Sequence, residues 1–184
     1  MNEITLSIIV EFTNIDKIKQ IASMCNDSVE LVIETSKVIK NIKDLEESTE
    51  ARITVIKHTA RTKLDDKKRK AIKSASGKYI TFIEPQDEIE SCYVLTILKA
   101  INQTNNLDYI KLFWNFKSWK NRCFYGCNNL WATFANVYSK DLAIKLDYSE
   151  TPRAERHNTA IMNEAKGDAI MTAKPLYYHY DRKG

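Results

Sequence analysis

The first half of the chain alternates short apolar runs with segments of helical periodicity. Continuous β-branched and apolar runs are typical of strands covered on both faces, and they predict four strands, at residues 6–10, 29–34, 52–56 and 78–83. Apolar residues three and four apart predict the helices that follow them, at residues 15–22, 38–45, 64–75 and 88–101. This alternation predicts an α/β fold of three layers, with a mostly parallel sheet, right-handed crossovers and helices on both faces.

Particular residues define the ends and faces of these helices. Asn14 is predicted to be an N-cap residue, and Gly77 the C′ residue that ends the third helix. Leu95 is predicted to face the core from the fourth helix. The third helix also has a basic face, formed by Lys67, Lys68, Arg69, Lys70 and Lys73. Since helices in such folds usually expose a charged face, we predict that this face is solvated and binds no nucleic acid.

The second half of the chain is more aromatic and less regular. Two further strands are predicted, at residues 109–116 and 131–138, with a loop that contains Cys123 and Cys127 between them. Ser139 is predicted to cap a short helix that runs through residue 146, and a last helix is predicted around residues 155–165. Because no linker, repeat or low-complexity tract divides the chain, residues 1–184 are predicted to form one domain.

The amino-acid composition indicates a cellular compartment but identifies no catalytic site. The formal net charge of +4, from 28 basic and 24 acidic residues, fits an anionic ligand and equally an ordinary soluble surface. The four cysteines show no repeated C-x-x-C spacing, which favours free thiols in a reducing cytoplasm. Neither a signal-peptide pattern nor an apolar run of about 18 residues is present, so we expect a cytoplasmic protein without an integral membrane segment.

Several segments resemble, in their order along the chain, the motifs of family 2-like glycosyltransferases. Residues 7–14, S-I-I-V-E-F-T-N, resemble the family's opening S-I-I-I-P-x-Y-N, and residues 32–36, V-I-E-T-S, are similar to V-D-D-G-S. Residues 68–77 resemble R-N-x-G-I-x-x-A-x-G. Residues 75–87, A-S-G-K-Y-I-T-F-I-E-P-Q-D, resemble A-x-G-x-Y-I-x-F-L-D-x-D-D, and residues 174–178, K-P-L-Y-Y, resemble the closing K-P-L-Y-Y-Y.

The resemblance implies a GT-A fold, a Rossmann-like domain that binds a nucleotide diphosphate sugar at the C-terminal edge of its sheet. It implies a donor-binding half at about residues 1–105 and an acceptor-side half at about residues 106–184. Donor contacts are implied for Phe12, Thr13, Asn14, Glu34, Lys68, Arg69, Glu84 and Gln86.

The family's roles are implied for three of these positions. Glu34 would contact the base, Gln86 the ribose, and Asp87 the Mg²⁺ or Mn²⁺ on the diphosphate, because hard cations take oxygen ligands. Glu84 and Gln86 stand where the family has aspartates. Glu84 is therefore either a lengthened metal or ribose contact or a solvated turn residue.

The position of the catalytic base also departs from the family. Inverting members use the aspartate of an E-D-x-x-F-N helix start, and Arg153 and Ala154 occupy that acidic pair here. Glu155 is the nearest carboxylate and the candidate base, although one residue turns a side chain by about 100° around a helix. Two functions stay open: sugar transfer to a saccharide, lipid-linked or protein acceptor, or a catalytically weakened GT-A domain that binds nucleotide sugar or serves in assembly.

The histidines and several aromatic residues are further candidates for the functional site, and each of them also has a purely structural interpretation. His58, His157 and His179 are more typical of surface or structural positions than of acid–base groups. An acceptor wall for sugar stacking and an ordinary core are both compatible with the aromatic residues Trp114, Trp119, Phe124, Tyr125 and Trp131.

Overall fold

Strands and helices alternate through the first half of the protein, as predicted. A computed structural model describes residues 3–40, 42–104, 106–117, 123–126, 135–149, 151–170, 172 and 174–180. The first half contains β1 (Leu6–Glu11), α1 (Ile15–Ala22), β2 (Val29–Thr35), α2 (Ile42–Glu47), β3 (Arg52–Lys57), α3 (Leu64–Ser74) and β4 (Tyr79–Ile83). The second half contains β5 (Glu88–Ile89), α4 (Tyr93–Gln103), β6 (Tyr109–Leu112), β7 (Trp114–Lys117), β8 (Cys123–Gly126), β9 (Asn136–Ser139), α5 (Lys140–Lys145), α6 (Pro152–Glu164), β10 (Gly167–Ile170) and β11 (Tyr177–Tyr180).

The central sheet has seven strands in the order β10-β6-β9-β4-β1-β2-β3. β1 pairs in parallel with β2 and β4, and β3 pairs in parallel with β2. β9 is antiparallel to both β4 and β6, while β10 is parallel to β6. All strands of this sheet except β9 therefore run in one direction, which confirms the prediction of a mostly parallel sheet. The carboxyl ends of β1, β2, β3 and β4 form what we call the C-terminal edge.

Helices cover the central sheet on both faces. Leu6, Ile8 and Val10 of β1 join one core cluster with residues of α1 and α4, whereas Ile9 joins another with residues of α3, α5 and α6. Because successive side chains of a strand point to opposite faces, a strand buried on both sides needs the continuous apolar run seen at β1. The predicted α/β/α layering is confirmed. In the described part of the chain, no helix is both long and apolar enough to cross a membrane.

A second sheet of four strands, in the order β5-β11-β7-β8, corrects three predictions. The strand predicted at residues 109–116 divides at Phe113 into β6 and β7, which belong to different sheets. β8 pairs with β7 where the sequence predicts a loop. The helix predicted from residue 88 begins only at Tyr93, because residues 88–89 pair with β11. In each case pairing with a distant strand decides the local structure.

Two predictions about helix ends are confirmed and one is wrong. Asn14 and Ser139 are N-caps, with side chains that accept hydrogen bonds from Lys17 N and Leu142 N. Gly77 is not a left-handed cap, since no described glycine has a positive φ and α3 ends at the extended residue Ala75. Gly77 is instead required by close packing, because a Cβ atom there would lie 2.5 Å from Ser7 N.

The remaining differences concern where helices begin and which side chains they bury. α2 begins at Ile42, which leaves Val38 79% exposed. Leu95 is 55% exposed, because α4 buries Val94, Ile97 and Leu98 instead. The last helix starts at Pro152, earlier than predicted, because Thr151 caps it.

Candidate functional site

The C-terminal edge of the central sheet gathers carboxylates from three neighbouring strands. Glu11 ends β1 and lies opposite Glu34 in the register between β1 and β2. Glu84 directly follows β4, which pairs with β1 on its other side. Because these strands are parallel neighbours, their ends bring the acidic groups to one edge. α3 follows β3 and begins beside the same edge.

Two lysines of α3 pair with these acids. Lys68 is 6% exposed, and its Nζ lies 3.0 Å from Glu84 Oε1 and 4.4 Å from the centroid of the Phe82 ring. Lys67 Nζ lies 3.6 Å from Glu11 Oε1. The expectation of a fully solvated basic face is therefore wrong at Lys68, whose ammonium lies over the Phe82 ring of β4 and pairs with a strand-end acid.

Glu34 is a buried acid with an unused oxygen. The residue is 5% exposed, and its Oε1 has no hydrogen-bond partner in the described part of the chain. Burial raises the pKa of Glu34; the positive charge of Lys68 opposes this effect, and the negative charge of Glu11 adds to it. A buried polar atom without a partner is costly, so a ligand that donates a hydrogen bond to Oε1 would be favoured.

Asp87, the predicted metal ligand, is enclosed by the second sheet. Its side chain has 0% exposure. Tyr177 donates its hydroxyl hydrogen to Asp87 Oδ2 at 2.6 Å, and Tyr180 N donates to Oδ1 at 3.0 Å. The Lys17 ammonium donates to the backbone carbonyl of Asp87. Asp87 therefore fastens the loop after β4 to β11 and α1.

The GT-A resemblance implies Mg²⁺ or Mn²⁺ at Asp87, and the side chains at this edge do not fit such an ion. Both Asp87 oxygens already accept hydrogen bonds inside the protein. Glu84, the other candidate oxygen ligand for the metal, pairs with the Lys68 ammonium, and the charge of that ammonium repels a second cation. Among the described residues, no group of three or more His, Cys, Asp or Glu could hold a metal ion.

The predicted donor contacts at the start of α1 lie beside Glu34. Phe12 N donates to Glu34 O at 2.8 Å, and the Phe12 ring packs partly against the core. Thr13 and Asn14 are exposed, although Asn14 Oδ1 is used as the helix cap. Gln86 is half-buried in the turn that precedes Asp87.

Arg69 is held away from the paired acids and lysines. Its Nε donates to Asp65 Oδ2 at 2.7 Å, and its Nη2 donates to Leu146 O at 3.0 Å. The hydrogen bond to Asp65 is the main reason that the pKa of Arg69 is raised, with burial opposing it. These contacts join α3 to the end of α5. The two adjacent basic residues that the sequence treats alike therefore have different structural environments.

The start of α6 carries the candidate base. Thr151 Oγ1 accepts a hydrogen bond from Ala154 N at 3.1 Å, and Ala154 is 1% exposed. Glu155 is exposed in the first turn. α6 leads into the parallel strand β10 through only two residues, so its N-terminus lies on the side of the C-terminal edge. Ala154 thus occupies the inward position, and Glu155 the solvent-facing position next to it.

Sequence analysis missed Lys17 and the two tyrosines that enclose Asp87. Lys17 N bonds to the N-cap Asn14, but the contact of its ammonium with the Asp87 carbonyl spans 70 positions in the chain and has no local signal. Tyr177 belongs to the K-P-L-Y-Y segment, but its contact with Asp87 spans 90 positions in the chain and has no local signal. The sequence resemblance therefore identifies this segment but does not predict that it encloses Asp87.

The remaining candidates are histidines, aromatic residues and cysteines, several of which lie outside the described residues. His157 Nε2 of α6 lies 3.2 Å from Lys145 O at the end of α5. His58 directly follows β3 at the C-terminal edge; its Nδ1 lies 3.3 Å from Thr59 O, and its buried Nε2 has no hydrogen-bond partner in the described part of the chain. Trp114 packs partly against the core. Cys25 and Cys92 are free thiols. Outside the described residues lie Trp119, Trp131 and Cys127 and the side chains of Phe124, Tyr125 and His179.

Comparison with solved structures identifies the fold. Comparison with protein-family models gives no match, and comparison with curated protein sequences gives none either. The crystal structure of S. aureus TarS 1–349 matches with a TM-score of 0.64 and 13% identity, covering 96% of this chain and 60% of that chain. TarS 1–349 in complex with UDP-GlcNAc matches with a TM-score of 0.65 and 14% identity, covering 98% and 60%. The complex with UDP matches with a TM-score of 0.65 and 13% identity, covering 97% and 61%.

These matches support one structural conclusion. The chain has a GT-A fold similar to that of TarS 1–349, and it spans about 60% of the length of the TarS 1–349 chain that it matches. At such low identity the likeness concerns the fold.

Proposed function

We propose that the protein binds a nucleotide diphosphate sugar at the C-terminal edge of its central sheet and transfers the sugar to an acceptor hydroxyl. The observation that carries this proposal is Glu34, whose buried Oε1 lacks a hydrogen-bond partner among the described residues. The fold supports it, because ligands of open α/β sheets bind outside the carboxyl ends of the strands. TarS 1–349, of the same fold, has been crystallised with UDP and with UDP-GlcNAc.

In this proposal, Glu34 recognises the nucleobase. An N–H group of the base donates to Glu34 Oε1 and satisfies the unused acceptor. The adjacent segment from Phe12 to Asn14 borders the base and ribose, because Phe12 N is bonded to Glu34 O. A site that hydrogen-bonds a base edge rejects ligands without the matching donor, since the buried oxygen would then stay unpaired.

The transfer step assigns the proton to Glu155. The acceptor oxygen forms a bond to the anomeric carbon while the bond from that carbon to the diphosphate oxygen breaks. The acceptor proton passes to the Glu155 carboxylate, and the nucleoside diphosphate leaves with the bonding electron pair. An exposed carboxylate in the first turn of α6 can meet an incoming acceptor, which we take to be a saccharide, a lipid-linked sugar or a protein. We place the reaction in the cytoplasm, where free thiols such as Cys25 and Cys92 stay reduced.

Titration with UDP tests the binding site. We expect UDP to bind the wild type and Glu34→Ala to weaken binding about tenfold or more, because one hydrogen bond to a buried charged group contributes about 1.5–3 kcal/mol. Glu46→Ala, at an exposed position of α2, is the matched control and should bind like the wild type. Equal affinity of the Glu34→Ala and Glu46→Ala variants would contradict the assignment of Glu34.

Transfer or donor hydrolysis tests the base. We expect Glu155→Gln to lower kcat by about 10²- to 10⁴-fold, the usual contribution of a general base. Glu164→Gln, at the last residue of α6, is the control for changes to the helix. Retention of activity within a few-fold in Glu155→Gln would exclude this base.

A second function, a nucleotide-sugar-binding or assembly module without turnover, is favoured by Ala154. This buried alanine occupies the inward position of the helix start, where the family resemblance implies a carboxylate. If UDP binds with Glu34-dependent affinity but no donor and acceptor pair gives product, the module is the better description. Restoring the acid in Ala154→Asp would then be the variant to assay for gain of turnover.

A further inference from the structure

We propose that nucleotide diphosphate binding at this edge uses the Lys68 ammonium in place of a divalent metal ion, an inference that rests on the proposed function. The family resemblance leads to the opposite expectation. The disagreement arises from the positions of Lys68, Glu84 and Asp87 in this chain.

Lys68 is a fixed cation at the end of β4. It is 6% exposed, and its Nζ is held 3.0 Å from Glu84 Oε1 and 4.4 Å from the centroid of the Phe82 ring. An ammonium group has three donors, of which a single carboxylate oxygen takes one, so Lys68 can still donate to a phosphate oxygen. A lysine held by packing and by a carboxylate is preorganised for this contact, which limits the entropy lost on binding.

The residue expected to hold a metal has a structural role instead. Asp87 is completely buried, and it accepts hydrogen bonds from Tyr177 OH at 2.6 Å and from Tyr180 N at 3.0 Å. Because Asp87 is 0% exposed and bonded to β11, a metal ion could reach its oxygens only by separating β11 from the loop after β4. Glu84 cannot take over the role while it pairs with Lys68, because the ion and the ammonium would repel each other.

Other lysines contribute positive charge at the same edge. Lys67 Nζ lies 3.6 Å from Glu11 Oε1, and the Lys17 ammonium reaches the Asp87 carbonyl from α1. The edge therefore provides ammonium groups from two helices, and a phosphate-binding role for Lys68 needs no added cation.

Calorimetric titration of UDP in EDTA and in Mn²⁺ distinguishes the two sources of positive charge. For the wild type, we expect the Kd values of UDP in the two buffers to agree within about threefold. We expect Lys68→Met to weaken UDP binding in EDTA about tenfold or more, which is the loss typical of one charge-assisted hydrogen bond. Lys73→Met, at an exposed position in the last turn of α3, is the control and should bind like the wild type. Titration of Mn²⁺ alone should show no site that is lost in Asp87→Asn.

A double variant separates ligand binding from folding. Lys68→Met removes the ammonium that pairs with Glu84. Lys68→Met/Glu84→Gln removes both charges, and it should fold and still bind UDP about tenfold more weakly than Glu84→Gln alone. UDP binding that requires Mn²⁺ would overturn this inference and leave the proposed function intact. Unchanged UDP affinity in the double variant would overturn the role of Lys68. Absence of UDP binding in both buffers would overturn this inference and the proposed function together.

Discussion

Replacing Asp87 by alanine is predicted to destabilise the protein, although the residue lies in a turn beyond the end of β4. The side chain is wholly buried, and both of its oxygens accept hydrogen bonds from β11. Alanine would leave the Tyr180 N–H without this acceptor. It would also remove Asp87 Oδ2 as the acceptor of the Tyr177 hydroxyl hydrogen, while that hydroxyl oxygen still accepts from Glu84 N at 3.2 Å.

The size of the effect follows from these two hydrogen bonds. A hydrogen bond to a charged group contributes about 1.5–3 kcal/mol, so two of them, with partial relaxation, give a loss of about 3 kcal/mol in the free energy of unfolding. For a protein of this length, each kcal/mol lowers Tm by about 2–4 °C, which predicts a decrease of about 6–12 °C. Such a decrease is larger than most surface substitutions produce.

Urea unfolding followed by circular dichroism measures this loss, with Tyr177→Phe as the partner substitution. We expect a coupling free energy of about 1–3 kcal/mol between Asp87→Ala and Tyr177→Phe in a double-mutant cycle, because the two side chains share one hydrogen bond. Glu88→Ala is the control, since this neighbour is exposed and its side chain accepts from Tyr180 OH at 2.8 Å. The reasoning is refuted if Asp87→Ala is as stable as Glu88→Ala, or if the cycle shows no coupling.

Three further predictions concern other buried positions. Glu30→Gln should lower the free energy of unfolding by about 1–3 kcal/mol in urea titrations. The reason is that the buried Glu30 carboxylate accepts hydrogen bonds from the side chains of Ser7, Thr54 and Ser76 and from Ser76 N. A loss no larger than that of the exposed control Glu46→Gln would contradict this. Burial raises the pKa of Glu34 above its ordinary 4.5, so the native state holds the proton more tightly than the unfolded state does. Relative to Glu34→Gln, the free energy of unfolding of the wild type should therefore fall by up to about 1.4 kcal/mol per pH unit as the pH rises from 4.5 toward the native pKa. The same pH dependence of the free energy of unfolding in both proteins would rule this out. Gly77→Ala should lower Tm in thermal scans, because its Cβ would lie 2.5 Å from Ser7 N, a backbone atom that cannot move aside; an unchanged Tm would show that β1 can shift.

Local features of the sequence determined the first half of the fold. Continuous apolar runs specify β1, β2 and β4, because a strand buried on both faces has no polar side. Asn14 and Ser139 were predictable as N-caps, since the bonding partner of such a residue lies three positions along the chain. The positions of Glu34 and Glu84 at strand ends follow from the same runs.

Only the tertiary structure decided the environments of the charged residues at the C-terminal edge. Lys68 and Arg69 are adjacent in α3, yet Lys68 is buried against Glu84 while Arg69 bonds to Asp65 and Leu146 O. Asp87 matches the motif's metal position, but residues about 90 positions later enclose it. The second sheet likewise arises from pairing between distant segments, which divides the predicted strand at residues 109–116. Periodicity records which face of an element is apolar, whereas the partner of a charged group depends on how distant elements pack, and that packing has no local signal in the sequence.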